Sequence, residues 1–208
     1  METKNSPTCR NSTIAGLLFF IAGTVILMGI ITAEIFYPPG YSTSNSEISD
    51  LGATRPPDNL IYQPSASIFN GTMISGGLLV LAASAFLFRD LKRRIILFPA
   101  LLGAGILGVG LFPGNNAFFH PLFALVAFIA GGLSALVSSA ITSTPFRYVL
   151  AFLGLVTLVF LFFSSLFIPF LGDGGTERFV AYPVVIWAIG FGGYLIGKGN
   201  ENLGDPVR

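Results

Sequence analysis

The 208-residue chain carries 10% charged and 53% hydrophobic residues, a net charge of +1 and a mean hydropathy of +0.78. A soluble domain keeps roughly 25% charge to hydrate its surface, so the composition excludes a soluble protein, and the near-neutral balance gives no basic stripe for nucleic acid. One cysteine, Cys9, and one histidine, His120, exclude an internal disulfide, a Cys/His zinc or iron–sulfur centre and a bis-histidine haem; no metal and no cofactor is expected.

A helix crossing a ~30 Å hydrocarbon core needs about 20 mostly apolar residues. Six such runs are predicted: Ile14 to Phe36, Ser67 to Phe88, Ile95 to Phe112, Phe118 to Thr142, Tyr148 to Leu171, and Phe179 to Gly197. The expected fold is an all-α polytopic bundle of six transmembrane helices in one domain spanning residues 1–208. Residues 1–12 and 198–208 form tails, and a long outer loop covers residues 37–65. The first run is too long for a signal-peptide core and lacks a small-x-small cleavage site, so it reads as a retained span.

The loop "YSTSNSEISDLGATRPPDNLIYQPSASIFNG" has capping-box spacing at Ser44 and Glu47. Ile48 and Leu51 then share one side of a short helix that Gly52 ends, and the segment is expected to rest on the mouth of the bundle. After "TRPPD" the chain re-enters the membrane, bringing Asn70 just below the interface. In the second, third and sixth runs, small residues make packing ridges: Ser67, Gly71 and Ser75; Ala100, Ala104 and Gly108; Gly190, Gly193 and Gly197. "RDLKRR" at 89–94 separates the second and third runs and reads as a topology anchor at the lipid head groups.

"PGNNAFFHPLF" at 113–123 opens the fourth run. Helical spacing from His120 gives Ala124, Ala127, Gly131, Ser134 or Ala135, and Ser138, while Leu122, Leu125, Ile129, Leu133 and Leu136 lie elsewhere. His120 therefore heads the packed face, with Asn116 four residues earlier on the same side and Pro121 in the first turn. In the sixth run Trp187 fills a packing gap.

Cytoplasmic loops retain positive charge. With the amino terminus inside, Lys4, Arg10, Arg89, Lys92, Arg93, Arg94, Arg147, Lys198 and Arg208 are cytoplasmic, and only Arg55 and Arg178 lie outside. Both termini are thus expected in the cytoplasm of a multi-pass cell-membrane protein. The outer face then holds Glu34, Glu47, Asp50, Asp58, Asp173 and Glu177.

"ISDLG" at 48–52, "IFN" at 68–70, "FP" at 112–113 with His120 following, and "GTERFVAYPVVIW" at 175–187 occur in an order that resembles a known family. It is the archaeal and bacterial six-span membrane proteins catalogued as domain of unknown function nine-nine-eight. The likeness runs from about Thr13 to Gly197; it implies a six-helix architecture and no established activity.

Asp50, Asn70, His120, Glu177 and Arg178 come from four segments and approach the outer side, where charges near lipid are costly unless paired. The leading expectation is a structural or lipid-interacting protein with a polar lid: Arg178 paired with Asp50 or Glu177, His120 bonded to a carboxylate or a backbone carbonyl, Asn70 tying the loop down. The alternative is a membrane-embedded hydrolase or transferase acting on a lipid or lipid-linked head group. In it His120 is the general base, Asp50 or Glu177 orients it, Ser49 is the nucleophile, and Arg178 or Asn70 stabilises negative charge. A transporter is the third reading, with no charge at the centre of any run to support it. Membrane lipids are the expected partners, and a homo-oligomer or an unidentified membrane partner stays open.

Overall fold

The computed structural model describes residues 7–88 and 93–201. Lys4, most of "RDLKRR" and Arg208 lie outside them, as does the Cys9 side chain. Among the described residues the fold is all-helical: α1 (Pro7–Ile35), α2 (Ser65–Leu87), α3 (Arg93–Leu111), α4 (Phe119–Ile141), α5 (Phe146–Phe162) and α6 (Ser164–Glu201). One 3-10 turn, Ser49–Leu51, interrupts the connection between α1 and α2. Four described stretches are long and apolar enough to cross a membrane: Arg10–Ile35, Ser65–Leu87, Phe119–Ile141 and Ser164–Gly199. Leu97–Leu111 and Phe146–Phe162 are apolar and shorter.

Each helix packs against its chain neighbours, and α1 against α6 closes the ring. α4 touches α6 only lightly, which leaves a seam where α4, α5 and α6 meet. The ring closes tightly because the backbones of α1 and α6 nearly touch: a Cβ on Gly16 would lie 2.7 Å from the Gly192 carbonyl. Beneath that crossing Trp187 is fully buried, set edge-on to Phe19 at 5.5 Å and stacked on Phe191 at 5.8 Å. Its indole N–H donates to Ser138 Oγ at 3.1 Å, so the one polar atom of the largest core side chain is satisfied. A second apolar cluster, Ile26, Ile30, Ile48, Leu51, Phe69 and Met73, seats the connecting loop on the bundle. Outside, Leu17, Phe152, Leu155 and Phe170 are exposed; water would penalise such a surface and hydrocarbon accepts it. The molecule is a membrane protein.

The α4 pattern follows the expected face: His120, Ala127, Gly131, Ser134, Ala135 and Ser138 are buried, and Leu122 and Leu125 are exposed. The α2 ridge does not. Ser67, Gly71 and Ser75 face outward, and Ala66, Phe69, Met73, Gly76 and Val80 make the packed side. Phe69 and Met73 gain dispersion contacts with Ile26, Ile30 and Leu51 that a serine–glycine stripe cannot make, and in lipid those contacts, not removal from water, set the rotation of the helix. Gly193 and Gly197 likewise meet open space.

The expected fifth span ends early. α5 stops at Phe162, Phe163 leaves helical geometry (φ −114°, ψ 25°), and a short helix starts at Ser164. It bends at Gly172 (φ 73°, ψ 173°), a backbone that glycine tolerates and other residues resist. Residues 173–178, part of the expected loop 172–178 between the fifth and sixth runs, are helical.

Candidate functional site at the loop end of the bundle

The connection from Phe36 to Pro64 folds back over the end of the bundle where α1 stops and α4 starts. Its first half is held by two adjacent residues of α6. Arg178 is 9% exposed; its Nη1 donates to the carbonyls of Thr43 (2.8 Å), Ser46 (3.0 Å) and Gly174 (3.0 Å). Its Nη2 donates to Glu34 Oε1 at 2.6 Å and to Tyr41 Oη at 2.7 Å. A planar guanidinium with several fixed donors can satisfy this many acceptors at once; an ammonium cannot. Glu177, one residue earlier, accepts the Ile48 N–H on Oε2.

The backbone of α6 allows this closeness. A Cβ on Gly172 would sit 2.1 Å from the Ser44 carbonyl oxygen, and one on Gly174 would sit 2.0 Å from that of Ser46. The Gly175 N–H donates to the Ser44 carbonyl at 3.0 Å. That carbonyl contact replaces the expected capping box: Ser44 bonds through its hydroxyl to Ser42, and Asp50 Oδ2 accepts the Glu47 N–H at 2.9 Å. Ile48 and Leu51 are buried as their spacing predicts, on a single 3-10 turn.

His120 is 4% exposed, and its Nδ1 lies 2.8 Å from the Phe112 carbonyl oxygen. A carbonyl only accepts, so Nδ1 carries the hydrogen and the neutral ring presents Nε2 as a lone pair. No hydrogen bond to Nε2 exists among the described residues. Asn116 caps α4 rather than lining the site: its Oδ1 accepts from Phe119 N at 2.9 Å, and its carbonyl accepts the His120 N–H at 3.2 Å. Asn70 Nδ2 reaches the Gly52 carbonyl at 3.5 Å, beyond ordinary bonding distance, and its buried Oδ1 has no partner.

Two cavities meet at this end. The larger, about 590 Å³, occupies the seam beside α4, α5 and α6, with Glu47, Arg55, Asp173 and Glu177 at its polar side and Leu125, Phe128, Leu161 and Ile168 along its apolar side. The smaller, about 90 Å³, lies inside the bundle among Ile26, Ile30, Met73, Ile106 and Val185. Ser49, His120, Ala124, Phe128 and Glu177 line both and form the neck between them.

A family model described as "Protein of unknown function (DUF998)" matches residues 20–194. The chain belongs to the DUF998 family. The matched stretch starts within α1 and ends within α6, so in this DUF998 chain it includes the whole loop, His120 and the Glu177–Arg178 pair. No curated protein and no solved structure matches the chain. The chemistry of this DUF998 site therefore rests on its geometry.

That geometry groups the expected residues in two sets. Ser49, His120 and Glu177 share the neck, whereas Arg178 and Asp50 hold the loop and Asn70 lies beneath Gly52 without a short hydrogen bond to it. No described hydrogen bond joins His120 to Ser49, Asp50 or Glu177; the imidazole is oriented by a backbone carbonyl. Arg178 pairs with Glu34, not with Asp50 or Glu177. Sequence reasoning left out Glu34 and Tyr41 as partners of Arg178, and Glu47, Arg55 and Asp173 as the pocket rim. The signal for Glu34 was present, since it is the only charged residue in the run from Ile14 to Phe36. In the loop, burial raises the Glu47 and Asp50 carboxyls above their ordinary range, with the Arg55 ion pair opposing the Glu47 shift. Burial also raises the Tyr41 phenol, against the pull of Arg178.

Proposed function

We propose that this chain is a six-span cell-membrane protein with both termini in the cytoplasm, whose outer end binds one lipid molecule in the seam of α4, α5 and α6. Span length supports six crossings: at 1.5 Å per residue, the 19 residues of α3 and 17 of α5 reach about 29 Å and about 26 Å. Both lie within the range a bilayer accommodates by thinning slightly. The observation that carries the lipid reading is the amphipathic pocket, polar at the loop and apolar along Leu125, Phe128, Leu161 and Ile168. A head group at the rim with a tail along the seam satisfies both sides at once. Ala124 lines both cavities, so Ala124→Trp fills the neck. Native mass spectrometry after detergent exchange is expected to find one retained lipid per wild-type chain and little in Ala124→Trp; equal retention overturns the reading.

One observation favours a hydrolase or transferase as the second reading. His120 presents a neutral Nε2 to a pocket that also contains Ser49, the arrangement a general base and a hydroxyl nucleophile need before substrate draws them together. Release of a head group from a defined lipid by the wild type, abolished in His120→Gln and in Ser49→Ala, supports it. Intact lipid after long incubation removes it.

A further inference from the structure

We infer that the head group held in the seam pocket is an amine-bearing, hydrogen-bond-donating one, and not a purely anionic one; this rests on the lipid-binding reading. The buried polar atom left unpaired at the neck is an acceptor. His120 Nε2 is a lone pair on a side chain 96% removed from solvent, fixed by the Nδ1 hydrogen on the Phe112 carbonyl. Glu177 uses Oε2 for the Ile48 N–H, and its Oε1 has no partner among the described residues. The rim adds the Glu47 and Asp173 carboxyls against a single guanidinium, Arg55, which is already paired with Glu47. The Arg178 charge behind the neck is taken by Glu34.

An anionic phosphate meets the rim carboxyls with no free cation to compensate it, and it has no hydrogen to offer His120 Nε2. An ammonium supplies both what the field favours and what the unpartnered acceptors lack. Its N–H groups reach His120 Nε2 and Glu177 Oε1, while the tail leaves past Phe128 and Ile168. The site is built rather than a mere run of acids, because the imidazole is buried, oriented and unpaired on the side that faces the cavity.

The test reconstitutes the full chain in vesicles of equimolar phosphatidylethanolamine and phosphatidylglycerol, then identifies the lipid retained by native mass spectrometry. Phosphatidylethanolamine is expected to be retained roughly tenfold over phosphatidylglycerol, a factor that one charge contact in a partly wet site readily supplies. Asp173→Asn, an exposed rim change that leaves the loop contacts intact, is expected to reduce this preference, and Glu177→Gln to reduce it further. Retention without preference, or preference for phosphatidylglycerol, overturns the head-group inference and leaves lipid binding standing. Retention of neither lipid overturns lipid binding itself. A separate arm adds free ethanolamine to lipid-depleted protein: stabilisation equal to that given by the lipid assigns the pocket to a soluble amine and removes the lipid as its source, whereas no stabilisation supports the lipid.

Discussion

Arg178 shows how one side chain decides the position of an entire loop. Its guanidinium reaches five acceptors across residues 34–46 and 174, and its side chain is 10% exposed against 23% for Glu34. Removing one partner of such a pair strands the other charge away from water, at about 3–5 kcal/mol. Arg178→Ala is therefore expected to lower the melting temperature in detergent sharply and to open residues 41–48 to protease. Glu34→Gln, which keeps the shape and a carbonyl acceptor, is expected to do less. Equal melting temperatures for all three proteins would contradict the assignment. The sequence offered Asp50 or Glu177 as the partner of Arg178, and the structure pairs it with Glu34. Glu34 lies 144 positions away, and only the closing of α1 on α6 brings the two together. His120 was more legible, because helical spacing alone predicts a buried face that begins with it. Its partner was not, because any carbonyl of the preceding turn carries the same sequence signature.

At the scale of elements, the bend in α6 and the loop above it form one device. Gly172 adopts a left-handed φ of 73° with the Ser44 carbonyl where a Cβ would be. Gly172→Ala is expected to cost about 1–2 kcal/mol from the backbone alone, and more from the contact with Ser44. Gly193→Ala, facing open space, is expected to change stability by less than about 0.5 kcal/mol; thermal unfolding of the pair of variants separates the two. "GDGG" falls in the gap between the fifth and sixth apolar runs, which is why the sequence leaves residues 172–178 as a loop. The structure uses the glycines for close backbone approach instead. The loop also titrates. Glu47 and Asp50 have folded pKa values above their ordinary 4.5 and 3.8, so the folded state holds those protons more tightly than the unfolded one. Their contribution is present below about pH 4 and is lost as pH rises through the raised values. The exposed Arg55 partner offsets little of this. Protection of residues 44–54 from hydrogen exchange, corrected for intrinsic rate, is expected to fall between pH 4 and pH 7. In Glu47→Gln/Asp50→Asn the fall is expected to flatten; an unchanged profile contradicts the argument.

For the whole molecule, the six apolar runs give the helix count because a bilayer demands long apolar stretches, and that demand is written in composition. Which face of each helix points inward is a contest between packing contacts, and α2 went to Phe69 and Met73 over its small-residue stripe. The pocket could not be read at all, since it exists only where α4 and α6 fail to close. The proposed orientation predicts that a cysteine at Asp58, exposed in the loop, reacts with an impermeant thiol reagent in intact cells once Cys9 is replaced. A cysteine at Thr144, between α4 and α5, is expected to react only after lysis. The central claim, a lipid seated in the α4–α5–α6 seam, is tested most directly by photo-crosslinking with a diazirine on the acyl tail, followed by peptide mapping. The account predicts adducts concentrated on residues 121–128 and 161–168. Adducts spread evenly over outward residues such as Leu17, Leu78 and Phe152, with none in the seam, would contradict it.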